Sequence, residues 1–419
     1  MRKLKLMKRL LCAALVVAMA LPANLPALAA EDEASAASAS AEEEVDYTQY
    51  VDPFVGTDVD YGQLFPGSVV PYGLMKLSPD TYPHDTIDHA GYDYSKTQIS
   101  GFSHTRIEGV GGQGTGGDVL ITPTYVRYTD RPQSASRAMN IVMDKNGDKV
   151  EDASPGYYTV NMWPKKGSDN NVTEDTSNGS IKAELTSDIR TGYHKYTLPE
   201  DGEISLVVDL YYTYHHKYRD IVMDIEKLDD KVTMSGRFSA SNVSGNGKYT
   251  MYFYLETNQP ALEVDTWDDS GFGDLQEGVT VTGDDVGAVF TFLGRKDTPL
   301  EIKVSVSPIS AEQAKKDMYV EMPGWDFDLE RQQAKDAWNE VLSKVKVTNS
   351  ETSDPDGRLI QLFYTHLYHM FTMPMNATST DGTYRDISSE NNIKVADGYT
   401  HYDSWTLWDD FKKYPIIGL

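Results

Sequence analysis

The sequence predicts a multi-domain chain in which a large antiparallel β-sandwich is followed by an α-helical region. Between residues 47 and 308, short runs rich in Val, Thr, Tyr and Phe alternate with turns rich in Gly, Asp, Asn and Pro. This alternation of β-prone runs and turn residues is typical of the strands of an all-β domain. From residue 309 onward, apolar residues recur with the period of a helix. The change of period places a boundary between two fold types near residue 308.

The first 29 residues predict a secretory signal peptide. Five cations precede an apolar run over residues 10–21, and Ala27 and Ala29 supply the small side chains of a cleavage site. Because the run is too short to span a bilayer comfortably, a signal peptide is favoured over an uncleaved membrane anchor. No cysteine stands at the cleavage point, which argues against a lipid anchor. We therefore expect bacterial export to the extracellular space, with the protein either free or associated with the cell surface.

Composition restricts the partners of the exported chain. Residues 30–46 are mostly Ala, Ser and acidic side chains, which predicts a disordered spacer. The formal net charge is −26, and it becomes −31 once the five cations of the signal peptide are removed. Such a surface repels nucleic acid and anionic membranes. The single cysteine, Cys12, belongs to the signal peptide, so the mature chain has no disulfide and depends on the size of its core.

Residues 47–308 predict a sandwich of two packed antiparallel sheets. About 260 residues of short strands present two hydrophobic faces, and each face needs the other to cover it. Within this region the run VTVTGDDVGAVFTF predicts a hairpin, with Gly283, Asp284 and Asp285 near its tip.

Residues 309–350 predict a helical linker, and residues 351–419 predict the beginning of a second, helical domain. The segment Asp354-Pro355-Asp356 is a helix-start signal before RLIQLFYTHLYHMF, residues 358–371. Five apolar side chains of that run share one stripe: Leu359, Leu362, Phe363, Leu367 and Met370. A further helix is predicted over residues 404–414. Because two helices cannot close a helical domain, we expect the chain to be cut short within it.

The stretch GFSHTRIEGVGGQGTGGD, residues 101–118, contains seven glycines, three of which spell G-x-G-x-x-G. A dinucleotide site needs a strand before the first glycine and a helix after the third. Here the residues after Gly114 read as another strand, TGGDVLITPTYVRYTD, and no G-K-S/T follows. The glycines therefore favour tight turns or a close approach of the backbone to a neighbouring group.

Four nearly consecutive blocks carry a specific resemblance. They are YVDPFVGT, FPGSVVPYGLMKLSPDT, GYDYSKTQISGFSHTRIEGVG and GGDVLITPT, all between residues 50 and 124. In this order they resemble the start of the glycoside hydrolase family 92 α-mannosidases. Later, DGTYRD (381–386) and YDSWTLWDDFKKYPI (402–416) are similar to the first segments of that family's catalytic barrel. The resemblance extends from about residue 50 to the last residue.

The resemblance implies an N-terminal β-sandwich coupled to an (α/α)6 barrel, with the active site at their junction. It implies exo-acting hydrolysis of terminal α-linked mannose from glycans, with inversion and dependence on calcium. The family keeps its catalytic acid and base beyond position 419, so no catalytic residue is expected within this chain. The calcium ligands are likewise expected mainly beyond residue 419. This part of the protein is therefore predicted to be inactive alone.

The sugar-binding candidates come from segments that match the family. Asp409, in the segment that resembles L-W-D, is expected to accept hydrogen bonds from mannose hydroxyls, and Trp408 to stack on a C–H face. The alternative for this pair is a surface acid beside a core tryptophan. Arg385, in GTYRD, either bridges a sugar hydroxyl or pairs with a carboxylate. All three residues lie in the second, helical part of the sequence.

Further candidates lie in the sandwich part. His104 can donate to and accept from a sugar, or it can satisfy local backbone groups instead. Arg106 stands where many relatives have a second histidine. Tyr92 is a candidate pocket-lining residue, whereas core packing is the favoured role for Phe65.

Two departures from the family pattern bear on specificity. Members that cleave α-1,2 linkages tend to carry a tryptophan between LSPDT and GYDY, whereas this chain has none between residues 81 and 92. The sequence GYDY also replaces the commoner GYHY. We therefore expect the protein to prefer a linkage other than α-1,2, or an unusual leaving group. The alternative from a different functional class is a non-catalytic carbohydrate-binding sandwich or a decayed fragment.

Overall fold

The computed structural model describes residues 45–58, 63–84, 89–107, 115–214, 219–241, 247–350, 352–386, 388 and 392–403. The predicted signal peptide, nearly all of the predicted spacer and the predicted helix over 404–414 lie outside these residues. Within the described part, strands are numbered β1–β23 and helices α1–α4 along the chain. The order of elements confirms the predicted fold class, because antiparallel sheets come first and helices follow.

Two large sheets form the sandwich. Their described strands pair antiparallel, except that β3 pairs parallel with β7. In spatial order the first sheet contains β1 Ser78–Tyr82, β2 Gln98–Ser103, β3 Leu120–Arg127, β11 Gly202–Asp209, β18 Gly287–Gly294, β15 Glu263–Asp268 and β16 Gly271–Asp274, with β4 Met139–Asn140, β7 Lys165–Ser168 and β8 Asn171–Glu174 beside it. The second sheet contains β17 Val281–Gly283, β12 Ile221–Lys227, β13 Val232–Ser241, β14 Lys248–Thr257, β19 Leu300–Ser307, β10 Thr191–Thr197, β9 Ile181–Ser187, β6 Tyr157–Met162 and β5 Glu151–Ser154.

The central strands of the first sheet are buried on both faces. Along β11, Leu206 and Val208 belong to the large core between the sheets. Val207 points to the opposite face because side chains alternate along a strand, and there it packs with Trp267 and Val126 in a smaller cluster. This outer cover explains why the central strands are continuous apolar runs rather than alternating ones.

The hairpin predicted over residues 279–292 is wrong. Strand β17 pairs with β12 in the second sheet, whereas β18 pairs with β11 and β15 in the first. The carboxylate of Asp269 accepts the backbone N–H groups of Asp284 and Asp285, at 3.0 and 3.2 Å. The chain therefore crosses from one sheet to the other at the segment that the sequence pattern presented as a hairpin tip.

Helices α2 Ala311–Glu321 and α3 Phe327–Leu342 occupy the predicted linker and pack on the second sheet. Their N-termini are capped by Ser310 and Asp326, which accept the N–H groups of the residues three positions later. Helix α3 approaches the turn before β6 so closely that a Cβ added to Gly156, at φ +79°, would lie 2.6 Å from that of Ala334. Only glycine allows this contact.

Helix α4 Arg358–Phe371 begins two residues after Asp356, the last residue of the predicted start signal. The carboxylate of Asp354 accepts the N–H groups of Leu359 and Ile360, at 2.9 and 3.0 Å. The buried face of α4 packs against α3, where Trp338 and Tyr368 have ring centroids 4.3 Å apart. The indole of Trp338 donates to the carbonyl oxygen of Val69 at 2.6 Å, so the helices are tied to the sandwich.

The predicted apolar stripe of α4 is only partly covered in the described structure. Leu367 is buried, whereas Leu359 is 61% exposed and Phe363 is 37% exposed.

Two short two-stranded ribbons follow α4. The first pairs β20 Met375–Asn376 with β23 Tyr402–Asp403, and the second pairs β21 Thr383–Arg385 with β22 Ile393–Val395. The short helix α1 Ser134–Arg137 lies between β3 and β4. A search of the described residues found no helix with the length and apolar character needed to cross a membrane.

Candidate functional site

Arg106 is the centre of a buried polar cluster at the edge of the glycine-rich stretch. Its side chain is 1% exposed, and its Nη2 donates to the Oγ and carbonyl oxygen of Ser103 and to the carbonyl oxygen of Ser78. The same Nη2 lies 3.5 Å from Oδ1 of Asp80, which is also fully buried. The guanidinium carbon lies 5.1 Å from the ring centroid of Phe65. Within this cluster, the buried charge of Arg106 is therefore balanced by the buried carboxylate of Asp80.

Two donors of this guanidinium remain unused. Nε and Nη1 of Arg106 are buried and have no hydrogen-bond partner among the described residues. Buried donors are nearly always paired in native proteins, because an unpaired one costs roughly 1–3 kcal/mol. Such a pair of fixed donors in a water-poor setting is suited to an acceptor such as a hydroxyl oxygen of a sugar. Arg106 is therefore the predicted candidate that best fits contact with a ligand.

Glycines allow the cluster to close around Tyr214. The Tyr214 hydroxyl donates to Oδ1 of Asp80 at 2.6 Å. A Cβ at Gly91, φ +85°, would lie 2.1 Å from that hydroxyl, and one at Gly117, φ +82°, would lie 2.5 Å from the tyrosine ring. The close approach predicted for the glycine-rich stretch is thus confirmed at Gly117, and the strand predicted after it is β3.

His104 lies in a hydrogen-bonded chain within the sandwich. Its Nδ1 lies 2.7 Å from the carbonyl oxygen of Val119 and therefore donates, and its Nε2 lies 2.8 Å from Nε2 of His194. The Nε2–H of His194 must then donate to His104, and its Nδ1 accepts from the Tyr196 hydroxyl at 2.9 Å. Burial lowers the pKa of His104 to about 3 and also lowers that of His194. Both nitrogens of His104 are committed, as expected of a histidine that satisfies backbone groups.

Tyr92 and Phe65 are buried among protein groups. The Tyr92 hydroxyl donates to Oε1 of Glu151 at 2.7 Å, and Tyr158 donates to the other oxygen of the same carboxylate at 2.7 Å. Burial and the Glu151 charge raise the pKa of Tyr92. Phe65 packs in the cluster that joins the sandwich to helices α3 and α4. Phe65 therefore packs in the core, as expected. Tyr92 is also buried, and its hydroxyl binds a protein carboxylate.

Arg385 connects the ribbon after α4 to the end of the sandwich. Its Nε donates to the carbonyl oxygen of Pro308, and its Nη2 donates to that of Ile309 at 3.0 Å. These acceptors belong to the junction between β19 and α2, rather than to a carboxylate. The remaining two candidates, Trp408 and Asp409, lie outside the described residues. The described structure thus brings together Arg106 and Phe65, and it places His104, Tyr92 and Arg385 in separate contacts.

Two members of the Arg106 cluster were absent from the sequence-based candidates. They are Asp80, which lies within the motif FPGSVVPYGLMKLSPDT, and Tyr214. A signal for Asp80 does exist, because an acid within the buried strand SPDTY requires a cationic or hydrogen-bonding partner. Tyr214 has no comparable signal, since it follows β11 and reaches Asp80 across more than 130 residues.

The described residues do not offer a calcium site. Across residues 45–58, 63–84 and the later described ranges, no group of three His, Cys, Asp or Glu side chains is arranged to bind a metal ion. Calcium prefers six to eight oxygen ligands, several of them carboxylates. The acidic side chains of the Arg106 cluster and of the Tyr92 contact each face a cation or a tyrosine hydroxyl instead. No step of the chemistry is therefore assigned to a metal bound by these residues.

Comparison with known proteins gives consistent matches over nearly the whole described chain. The glycosyl hydrolase family 92 N-terminal domain matches residues 50–307, and the family 92 catalytic domain matches residues 313–417. A solved GH92 family glycosyl hydrolase, ccman5, is 40% identical with a TM-score of 0.81, over 89% of this chain and 47% of that one. A family GH92 α-mannosidase from Bacteroides thetaiotaomicron is 24% identical with a TM-score of 0.74, over 90% of this chain and 47% of that one.

One curated relative is similar at lower identity. A protein of Arthroderma benhamiae described as an uncharacterized secreted glycosidase is 23% identical over 356 residues, which cover 81% of this chain and 43% of the relative. The chain thus spans about half the length of these relatives. Since the N-terminal-domain match alone covers more than half of the sequence, the chain belongs to glycosyl hydrolase family 92.

Proposed function

We propose that this chain is the N-terminal part of a secreted, exo-acting α-mannosidase that hydrolyses terminal α-linked mannose from glycans. The observation that carries the proposal is the succession of two family 92 domains, N-terminal and catalytic, in one chain. Support comes from structures of the same fold that are named α-mannosidases, one of which was solved with mannoimidazole. The secreted glycosidase among the relatives supports export, as does the signal-peptide pattern.

The proposed division of domains follows the observed change of fold. We place the signal peptide at residues 1–29, the spacer at 30–46, the sandwich at 47–308, the helical linker at 309–350 and the start of the (α/α)6 barrel at 351–419. Two contacts support a functional junction between sandwich and helices. Lys76 of the sandwich donates to the carbonyl oxygen of Thr372 after α4, at 2.9 Å, and Tyr72 accepts and donates backbone hydrogen bonds there as well. The Lys76 ammonium lies 5.8 Å from the ring centroid of Phe65, the same ring that faces Arg106.

The proposed reaction is inverting hydrolysis. One carboxylic acid protonates the leaving-group oxygen while a second carboxylate activates water on the opposite face of the sugar, the two lying roughly 6.5–9.5 Å apart. We assign both groups to positions beyond residue 419, together with most calcium ligands. Within this chain, Arg106 would donate Nε–H and Nη1–H to hydroxyl oxygens of the bound sugar. Trp408 and Asp409 would supply the stacking surface and the hydroxyl acceptor of the same subsite.

The test uses the full-length protein. We expect it to release mannose from α-mannobioses, to lose activity in a calcium chelator and to regain it when calcium is restored. Proton NMR at early times should show β-mannose as the first product. The 419-residue chain should release none. A full-length protein that leaves every α-mannoside intact in the presence of calcium would refute the proposal, and α-mannose as first product would refute inversion.

The linkage proposal is tested in the same assay. Because no tryptophan lies between residues 81 and 92, we propose that the α-1,2 isomer is not the preferred mannobiose. Comparison of kcat/KM for the α-1,2, α-1,3, α-1,4 and α-1,6 isomers measures the preference. Equal or faster turnover of the α-1,2 isomer than of the other three would contradict this part of the proposal while leaving the mannosidase activity intact.

A further inference from the structure

A second group of unused donors lines a cavity of about 540 Å³ beside the first sheet. We call it the Arg137 cavity. Segments after β1, β3 and β11 form its walls, and its lining includes Tyr82, His84, Gln133, Arg137, Asp209 and Tyr212. The volume lies within the range of roughly 300–1,000 Å³ found for small-molecule sites. The mixture of aromatic walls and a few polar groups is also typical of such sites.

Arg137 is fixed in the wall by one carboxylate. Its side chain is 1% exposed, and its Nη2 lies 2.6 Å from Oδ2 of Asp209. The other oxygen of Asp209 accepts the backbone N–H groups of Tyr211 and Tyr212, at 2.9 and 3.0 Å, so the carboxylate cannot turn away. Nε and Nη1 of Arg137 are buried and have no hydrogen-bond partner within the described part of the chain. The guanidinium is thus oriented and two of its donor groups are available.

Tyr212 adds a third unused donor to the same wall. Its hydroxyl is buried and has no hydrogen-bond partner among the described residues. Its ring meets the ring of His84 edge to face, with centroids 6.2 Å apart, and that of Tyr214 at the same distance. A ligand here therefore meets aromatic surface and fixed hydrogen-bond donors together.

The charges around the cavity favour a neutral ligand over an anion. Arg137 is compensated by Asp209, and Arg131 is paired with Asp285. Asp130 contributes a further negative charge to the lining. An anion would gain no net attraction from this set, whereas a polyhydroxyl ring can accept from the arginine and tyrosine donors and donate to the carboxylates. The C–H face of such a ring also matches the aromatic wall.

We propose that the Arg137 cavity is a carbohydrate-binding subsite for a neutral pyranose, in which Arg137 and Tyr212 donate to sugar hydroxyl oxygens. The choice of mannose as the sugar rests on the proposed function. The subsite itself rests on the cavity and on its three unused donors.

Equilibrium binding to the 419-residue chain tests the subsite. Methyl α-D-mannopyranoside is titrated into the purified chain and followed by calorimetry. We expect Tyr212→Phe, which removes a hydroxyl that no other described residue contacts by a hydrogen bond, to weaken binding about 5- to 10-fold. Arg137→Lys keeps the charge beside Asp209 but loses the oriented donors, so we expect a loss of about tenfold or more. The control is Tyr254→Phe, which removes a buried hydroxyl of the second sheet, away from the cavity, and it should bind as the unmodified chain does.

Three results would overturn the subsite. They are absence of heat at tens of millimolar sugar, unchanged affinity in both cavity variants, and tighter binding of inorganic phosphate that competes with the sugar. None of these depends on turnover. A full-length protein that hydrolyses mannosides while Tyr212→Phe binds normally would refute the subsite alone. An inactive full-length protein with Tyr212-dependent binding would refute the mannosidase proposal and support the subsite.

Discussion

Two buried polar clusters of the sandwich differ in whether their hydrogen bonds are complete. In the chain from Tyr196 through His194 and His104 to the Val119 carbonyl, each imidazole nitrogen has a partner. In the cluster around Arg106, two guanidinium nitrogens have no partner among the residues that the structure describes. A complete chain stabilises and orients its members and leaves little for a ligand. An incomplete one carries a cost that a bound ligand can remove, and so the incomplete cluster is the better candidate site.

The largest expected effect comes from removing the counter-charge of Arg106. Asp80→Ala leaves a buried guanidinium beside an empty carboxylate position and also breaks the hydrogen bond from Tyr214. Loss of one partner of a buried ion pair typically costs about 3–5 kcal/mol. We expect a decrease of that size in the free energy of unfolding, measured by urea denaturation followed by circular dichroism.

An exposed ion pair provides the control. Oε2 of Glu203 lies 4.0 Å from Nη1 of Arg127, and the Glu203 side chain is 61% exposed. Exposed pairs contribute roughly 0–1 kcal/mol because water screens them, so Glu203→Ala should have a small effect. Similar losses for the two variants would show that Arg106 does not depend on Asp80 and would remove the distinction between the clusters.

A substitution at Gly117 tests the backbone on which the incomplete cluster depends. Alanine there would strain a φ of +82° and place its Cβ 2.5 Å from the Tyr214 ring. Strain and overpacking together should cost about 2–4 kcal/mol. Alanine at Gly278 is the matched control, because its φ is +72° but no atom lies within 4 Å of the added Cβ. The difference between the two variants in urea unfolding measures the contact with Tyr214, and equal losses would show that the backbone strain alone matters.

Residue patterns predicted the order of the fold well and its long-range pairing less well. Strand texture and the change to helical period are local properties, and both are confirmed by β1–β19 and α2–α4. The hairpin at Gly283 failed because local sequence does not determine which sheet each arm joins. That choice depends on β12 for the first arm and on β11 for the second, and both strands lie far earlier in the chain.

The candidate site also depends on long-range contacts that local sequence does not determine. A motif predicts Arg106 as a candidate, but its unused donors are visible only when Ser78, Ser103 and Asp80 are in place around it. No sequence pattern predicts Arg137, because nothing near it in sequence indicates a cavity. His104 illustrates the reverse case, since its motif suggested a ligand contact while His194, ninety positions later, takes up one of its nitrogens.

The complete histidine chain should make stability depend on acidity. Burial lowers the pKa of His104 to about 3, whereas the unfolded chain has the ordinary value of 6.5. Below pH 6.5 the unfolded state therefore binds a proton that the folded state does not, and stability is lost as the pH falls toward 3. At pH 5, His104 alone should lower the free energy of unfolding by about 2 kcal/mol relative to its value at neutral pH.

The variant His104→Gln isolates that contribution. Glutamine does not titrate, and its amide can still donate to Val119 and accept from His194. Urea unfolding of the unmodified chain and the variant at pH 7.5 and pH 5 should show a smaller acid-induced loss for the variant, by about 2 kcal/mol. Parallel losses would mean that His104 is protonated in the folded state and that the chain of hydrogen bonds is not as described.

The smallest effects on stability are expected from removing two buried tyrosine hydroxyls. The Tyr92 hydroxyl has a hydrogen-bond partner, and that of Tyr212 has none among the described residues. Tyr92→Phe removes a 2.7 Å hydrogen bond to the carboxylate of Glu151, which should cost about 1.5 kcal/mol because the acceptor is charged. Tyr212→Phe removes a buried hydroxyl that has no partner among the described residues, so the free energy of unfolding should not fall and should rise by about 1 kcal/mol. Urea unfolding in sugar-free buffer measures both. If Tyr212→Phe cost as much as Tyr92→Phe, its hydroxyl would already be paired within the folded protein, and the Arg137 cavity would have one donor fewer to offer a ligand.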